Sequence, residues 1–339
     1  MRKIISIILA ISIFCAVSAA VAYNSFYGDA IHSDCSMYIT KSTTYKDLQI
    51  EINKHIGENS LKSFAFGLYA SHINLENRFA EGHYQFTKGM SVIRIARILA
   101  LKEQTPINLV VGVARTIPQL AAKLSRQIAA DSAEIVKTLY NKNIRASHGY
   151  VRDSIMAMFI PNTYEVYWTI SPEQLLQRMH REYDTFWNES RDKRCKAMKM
   201  SRYEVMTLAS IVYEETKAVD EMARVAGVYI NRLRKGMPLQ ADPTVKYALQ
   251  DFGLKRVLRK HLKYKSPHNT YVNKGLPPSP ICIPSIAAID AVLNYENHNY
   301  IFFCARPEFD GHHNFARTLK EHNANARAYS AALNRLKIK

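Results

Sequence analysis

The sequence predicts an α+β protein carried on one N-terminal transmembrane helix, with a small α/β domain followed by a larger α+β domain. An unbroken apolar run lies directly behind the basic pair Arg2 and Lys3. Short strand-like alternations mix with amphipathic helical patterns between about Ser36 and Leu101, and strands return near the C-terminus. Between those regions helical stripes dominate, and one of those helices ends in two adjacent carboxylates, Glu214 and Glu215. A chain of 339 residues is long enough for two compact domains plus an anchor.

Taken in order, the run from Ile4 to Ala22 is apolar except for Ser6, Ser12 and Ser18. At 1.5 Å per residue it spans about 28 Å, close to the hydrocarbon thickness of a bilayer. Residues 4–22 are therefore expected to be a transmembrane anchor. Residues 1–3 would be its cytoplasmic end, with the remainder on the other side of the inner membrane, because positive charge stays inside. A cleaved signal peptide competes with this, since Val17 to Ala22 is rich in small residues, although the run is long for a signal core.

Ser36–Thr40 alternates like a strand, Tyr45 opens a helix starting near Thr44, Glu81–Phe86 is a turn into a second strand, and Ser91–Leu99 is a helix with basic residues on one side. These elements define a domain at 36–105. Ile107–Val111 reads as a strand, and Thr116 to about Leu139 as one helix with Pro118 in its first turn. The polar stretch from Asn141 to Tyr150 reads as a connection, so 106–150 is assigned as a connecting region and 151–335 as the larger domain. There, Phe159–Trp168 gathers aromatics around Pro161, and Ser171 caps a helix over Pro172–Asn188.

The helix that carries the paired carboxylates starts at Ser201, with Glu204 at the spacing of a capping box. Val205, Leu208, Ala209 and Val212 form an apolar stripe along it. At about 100° per residue Glu214 points opposite Val205 into solvent, whereas Glu215 lies on the flank of the stripe. A carboxyl on that flank loses hydration, which raises its pKa and suits it to act as a general acid. The competing reading is a helix-end Glu paired with a nearby Lys or Arg, which also perturbs a carboxylate.

A second helix follows, with Met222, Val225, Ala226, Tyr229 and Leu233 as its stripe, Arg232, Arg234 and Lys235 in its last turn, and Gly236 as its stop. Asp242 precedes Pro243 and reads as the N-cap of a helix running through Tyr247. Leu254–Lys265 is a basic, exposed helix or loop, and the prolines of Gly275–Ile281 forbid a helix. Tyr300–Cys304 is expected as a buried strand, and His313–Ala316 as the strand after the turn. His312, His313 and His322 lack the spacing of a metal motif, so no metal and no cofactor is expected.

Lys and Arg exceed Asp and Glu by enough to give a net charge of +17. That excess suits a solvated basic surface, anionic lipid headgroups or an anionic polymer. No helix-turn-helix, zinc-finger or RNP-like word is present, so nucleic acid is not expected as a partner. Five Cys stand at 15, 35, 195, 282 and 304, without paired spacing, and read as isolated buried thiols.

The ordered words Leu208–Thr216 (LASIVYEET), Val228–Leu233 (VYINRL), Gly236–Val245 (GMPLQADPTV) with Tyr247, Asn269–Tyr271, Gly275–Pro278 and His313–Phe315 resemble the endolytic murein transglycosylase family, also called MltG or YceG-like. The resemblance is strong from about Ser201 to Asn323, weaker at Phe159–Tyr164, and only architectural before that. It implies a LysM-like domain at 36–105, which binds glycan or serves to position its neighbour, and a YceG-like catalytic domain at 151–335. It implies cleavage between MurNAc and GlcNAc in nascent peptidoglycan with formation of 1,6-anhydroMurNAc, which ends strand growth beside penicillin-binding proteins. It makes Glu215 the catalytic acid, and Gln240, Asp242, Thr244, Asn269 and Tyr271 candidates for gripping sugars. The aromatics of Phe159–Trp168 would stack on sugars or pack in a core. The family often has another Glu two residues before the catalytic one, where this chain has Tyr213. A hydrolase using Glu215 with Glu214 or Asp242, and a non-catalytic wall-binding anchor, are the alternatives.

Overall fold

The computed structural model of the protein describes residues 2–147, 149, 152–254 and 256–335. Met1, at the expected cytoplasmic end, His148, Tyr150 and Val151, around the expected domain boundary, and Lys255 in the basic stretch lie outside the described residues. The chain divides into two compact units, one made of Met1–Leu109 with Gln127–Ala129 and Glu165–Ile170, the other of the remainder.

The first unit begins with α1 (Arg2–Tyr27), whose apolar side chains are exposed along its length. It is long and apolar enough to cross a membrane. β1 (Cys35–Ile39) then starts one residue earlier than its alternation suggests. α2 (Tyr45–Ile56) starts where expected, because Thr44 and Asp47 close a capping box. α3 (Leu61–His72), capped by Ser60, has no counterpart in the sequence-based assignment. β2 (Gly82–Phe86) pairs antiparallel with β1, Cys35 opposite Phe86 and Ile39 opposite Gly82. α4 (Val92–Ala100) follows with Ser91 as its cap. Ile39, Leu48, Ile52, Phe66, Tyr84, Phe86, Ile95 and Leu99 fill the core between sheet and helices.

β3 (Ile107–Val111) pairs with β4 (Asn162–Val166). The single helix expected over 116–139 is instead two, α5 (Ile117–Leu124) and α6 (Ser132–Tyr140). The reason is local: Asp131 and Glu134 form a second capping box that restarts the helix. α7 (Lys142–Ser147) occupies part of the polar connection. The Phe159–Trp168 aromatics divide in burial: Tyr164 packs inside and donates to the Ile160 carbonyl at 2.6 Å, while Tyr167 is exposed. α8 (Pro172–Phe186) and α9 (Glu189–Met198) lead to α10 (Arg202–Glu215).

The stripe expected on α10 is a full sleeve: every residue from Val205 to Val212 is buried. Helices α11 (Val219–Arg234), α12 (Asp242–Leu249) and α14 (Ile286–Leu293) pack around it, with the short α13 (Arg259–Leu262) between the last two. A helix buried all round must satisfy its own hydroxyls. Thr207 donates to the Tyr203 carbonyl at 2.9 Å, and Ser210 donates to the Thr207 carbonyl at 2.7 Å. Ser210 also accepts the Ile281 N–H at 3.0 Å, which ties the proline-rich loop to α10. β5 (Phe302–Ala305) and β6 (His313–Ala316) pair antiparallel, and α15 (Leu319–Arg335) follows. β5 is half-buried rather than buried, since one face opens on the cleft described next. The cysteines are all free: Cys195 and Cys282 are buried, Cys35 and Cys304 half-buried, and Cys15 exposed on α1.

Candidate active site

α10 ends at Glu215 because Thr216 turns extended, its side chain accepting the Ala218 N–H at 3.1 Å as the chain turns into α11. The last two residues of α10 diverge from there. Glu214 does not point into solvent as its position on the helix suggests. It is largely buried and bonded to Arg115, with Nη2–Oε2 at 2.8 Å and Nε–Oε2 at 3.3 Å. The long reach of Arg115 from the segment before α5 supplies this partner, which helix periodicity alone does not reveal. The ion-paired helix-end Glu is thus Glu214, in a small crevice it shares with Lys246, Tyr247 and Phe252.

Glu215 opens onto a separate cleft of about 250 Å³, lined also by Tyr229, Arg232, Gln240, Asp242, Tyr271, Phe303 and His313. Its Oε1 accepts a hydrogen bond from the Tyr229 hydroxyl at 2.7 Å. Burial raises its pKa to about 7; the Tyr229 hydrogen bond opposes the rise, the Asp242 charge adds to it, and Arg232 and Lys246 offset part of it. A group poised near 7 holds a proton in a large fraction of molecules at neutral pH and releases it readily, which is what acid–base exchange with a substrate needs.

The walls are held by backbone carbonyls and a few charged groups. Buried Arg232 donates to the Ile301 and Leu239 carbonyls, each at 2.7 Å, so the basic last turn of α11 faces inward at this position. Gln240 sits at φ +52° in the left-handed region, and its side-chain oxygen lies 3.4 Å from Arg232 Nη1. Asp242 is not the N-cap expected from the following proline; Ala241 holds that place, without a side-chain bond. The Asp242 carboxylate is left to accept the Tyr271 hydroxyl at 2.6 Å. His313 Nδ1 bonds the buried Glu221 carboxylate at 2.6 Å, and its own backbone N–H donates to the other Glu221 oxygen at 3.0 Å.

Of the sequence-predicted residues, Glu215, Gln240, Asp242 and Tyr271 meet in this cleft. Thr244 and Asn269 do not; both are fully buried behind it. Thr244 bonds the Ala241 carbonyl at 2.6 Å and the Thr270 hydroxyl at 2.8 Å. Asn269 donates to the Leu262 and Tyr264 carbonyls at 3.0 and 2.8 Å, fixing the loop that carries Tyr271. Both side chains are closed off from the cleft by burial and bonded to its wall, which they hold. Tyr229, Arg232, Phe303 and His313 are cleft residues that the sequence-based assignment lacks. The stripe position of Tyr229 accounts for its ring, and its hydroxyl is the one signal that something polar lies nearby. Among the described residues no cluster of three metal-ligating side chains occurs.

Comparisons with known proteins agree on one family. The YceG-like family matches residues 37–328. An endolytic murein transglycosylase of Bacillus subtilis (strain 168) is 33% identical over 201 residues, covering 59% of this chain and 53% of the relative. One from Streptococcus pneumoniae serotype 2 (strain D39) is 24% identical over 290 residues, covering 77% of this chain and 52% of the relative. The chain thus spans about half the length of the curated relatives it matches. A crystal structure of a YceG-like protein from Listeria monocytogenes superimposes with a TM-score of 0.59 at 27% identity, covering 86% of this chain and 98% of that one.

Proposed function

The chain belongs to the YceG-like family, and from that premise we propose that it is a membrane-anchored endolytic lytic transglycosylase that cuts nascent peptidoglycan between MurNAc and GlcNAc. The observation that carries this is Glu215: one carboxyl in a polar cleft, hydrogen-bonded by Tyr229, with its pKa raised to about 7. Glu215 donates its proton to the glycosidic oxygen as the C1–O bond breaks through an oxocarbenium-like state. The carboxylate so formed then takes the proton from the C6 hydroxyl of the same MurNAc. That oxygen bonds to C1 and closes a 1,6-anhydro ring, and no water is consumed. One carboxylate serves both steps because the nucleophile is part of the substrate and is held at high effective concentration. Gln240, Asp242 and Tyr271 are the side chains placed to grip the sugars.

Further assignments rest on the same premise. The strand–helix–helix–strand order of the first unit supports a LysM-like domain that binds or positions glycan. Arg2 and Lys3 in the first turn of α1, ahead of its apolar run, support an inner-membrane anchor with the chain beyond the span outside the cytoplasm. Strand termination at that face implies work beside penicillin-binding proteins. A non-catalytic anchor would have Glu215 locked in an ion pair, and the ion pair is on Glu214.

One observation favours a second reading: Asp242 is a second carboxyl in the cleft, and a water-using glycosidase needs two. Product mass separates the two. Intact glycan strands incubated with the protein should yield fragments ending in 1,6-anhydroMurNAc, one water lighter than reducing ends. Glu215→Gln should lower the yield by at least the about 10²–10⁴-fold typical of a general acid–base group. Reducing-end MurNAc from the unaltered protein would make it a hydrolase. Near-normal turnover by a well-folded Glu215→Gln protein would remove Glu215 from the chemistry.

A further inference from the structure

α3 carries two apolar faces. Ala65, Phe66 and Ala70 enter the core of the first unit, while Leu61, Phe64 and Leu68 are 63%, 67% and 50% exposed on the other side. Positions 61, 64 and 68 stand one above another on a helix, so they form a single stripe. Water-facing helices seldom expose three large apolar side chains in line, and such a stripe marks a surface that something covers.

Its place in the fold says what. α3 packs against α1, and the contact falls at the end of α1, since the apolar span of that helix is unburied. Ser25 is buried there, Phe26 packs on the core of the unit, and Lys62 in the first turn of α3 donates to the Asp29 carbonyl. Exposed Tyr23 and Tyr27 stack at 5.0 Å on the last turns of α1, where the aromatic belt of a membrane span belongs. The rise from Ala22 to Tyr27 is about 8 Å, comparable with the headgroup layer of one leaflet, about 5–8 Å. The stripe therefore begins at the level where lipid gives way to water.

We infer that α3 lies on the membrane that α1 enters, with Leu61, Phe64 and Leu68 set into the headgroup–acyl boundary, where amphipathic helices bury their apolar face by about 5–10 Å. This rests on α1 being a retained anchor, but not on the chemistry of the cleft. A helix pinned at this boundary fixes the tilt of its unit against the bilayer, which a single span leaves free to swivel.

The test uses the full chain in bilayers of phosphatidylcholine and phosphatidylglycerol, with tryptophan introduced as Phe64→Trp or, in the anchor, Phe14→Trp. The emission of native Trp168 and Trp187 is subtracted using the unaltered protein. Phe64→Trp should emit to the blue of aqueous tryptophan. Lipids brominated near the headgroup should quench it more than lipids brominated at the chain ends, and Phe14→Trp should show the reverse order. Water-like, unquenched emission from Phe64→Trp beside a quenched Phe14→Trp overturns the inference and leaves the anchor standing. Blue-shifted emission insensitive to either bromolipid also overturns it, because protein rather than lipid then covers the stripe. If neither probe is quenched, the anchor falls and the inference with it.

Discussion

Replacing Tyr229 by Phe tests the electrostatics of the cleft at the cost of one oxygen atom. The Tyr229 ring is buried and meets Phe303 edge-to-face at 5.8 Å, so Phe fills the same space and the fold should hold. The hydroxyl donates to Glu215 at 2.7 Å and works against the rise in its pKa. A hydrogen bond to a charged acceptor is worth about 1.5–3 kcal/mol and one to a neutral acceptor about 0.5–1.5 kcal/mol. The difference, about 1–1.5 kcal/mol, is the preference that Tyr229 gives the carboxylate over the acid, and it equals about one pKa unit. Removing it raises the pKa of Glu215 from about 7 by about one unit. In the proposed mechanism protonated Glu215 is the form that starts the reaction, so the basic limb of kcat/KM against pH should move to higher pH by that amount. The assay is release of soluble fragments from glycan strands over a pH series, with circular dichroism to confirm folding. A basic limb that stays in place, or moves to lower pH, would refute either the Tyr229 hydrogen bond or Glu215 as the titrating acid.

Two other outcomes follow from the pair at the end of α10. The folded-state pKa of Glu215 is about 7 against an ordinary 4.5, so from 4.5 to 7 the folded protein holds more protons at this site than the unfolded chain, and stability falls as pH rises through that window. Glu215→Gln removes the effect: its gain in Tm over the unaltered protein should grow across that window and level off above it, and a pH-independent difference would contradict the shift. Glu214→Gln breaks a partly exposed ion pair worth about 0–1 kcal/mol and leaves the cleft intact. Fragment release should then fall by less than about tenfold, well short of the general-acid range of about 10²–10⁴-fold, and a larger loss would bring Glu214 into the chemistry.

Much of the architecture is legible because it depends on neighbours close in sequence. Thr44, Ser91, Ser171 and Ser201 each cap a helix where the pattern puts one, since a cap is a bond across three residues. The same logic, applied at Asp131, would have split the helix that was expected to run through it. α3 escaped because its two apolar faces blur the periodicity that marks a helix half in water. The site is legible in its chemistry and less so in its partners. Glu215 stands out by its place beside the stripe, but Arg115, the partner of Glu214, lies 99 residues earlier in the chain. At Asp242 two readings compete, a cap set by the following proline and a cleft residue implied by the resemblance, and only the structure, which puts its oxygen on Tyr271, separates them.

In the proposed mechanism the contrast between Glu214 and Glu215 leaves a single working carboxyl, two residues after the position where the resemblance implies a further Glu. Tyr213 occupies that place, with the Lys217 ammonium 3.4 Å from the centre of its ring, so no carboxylate can act from there. One residue along a helix is a turn of about 100°, enough to send two neighbouring carboxylates to different surroundings. Glu214 meets a guanidinium that engages its oxygen twice. Glu215 meets a buried phenol and a cleft lined by Arg232, whose guanidinium is already committed to two carbonyls. A guanidinium close against Glu215 would hold its proton off and leave no acid. A wholly apolar pocket would hold the proton on and leave no base. Burial, opposed by a phenol hydrogen bond and a committed cation, sets the pKa at about 7, between those limits, where a single carboxyl can give a proton in one step and take one back in the next.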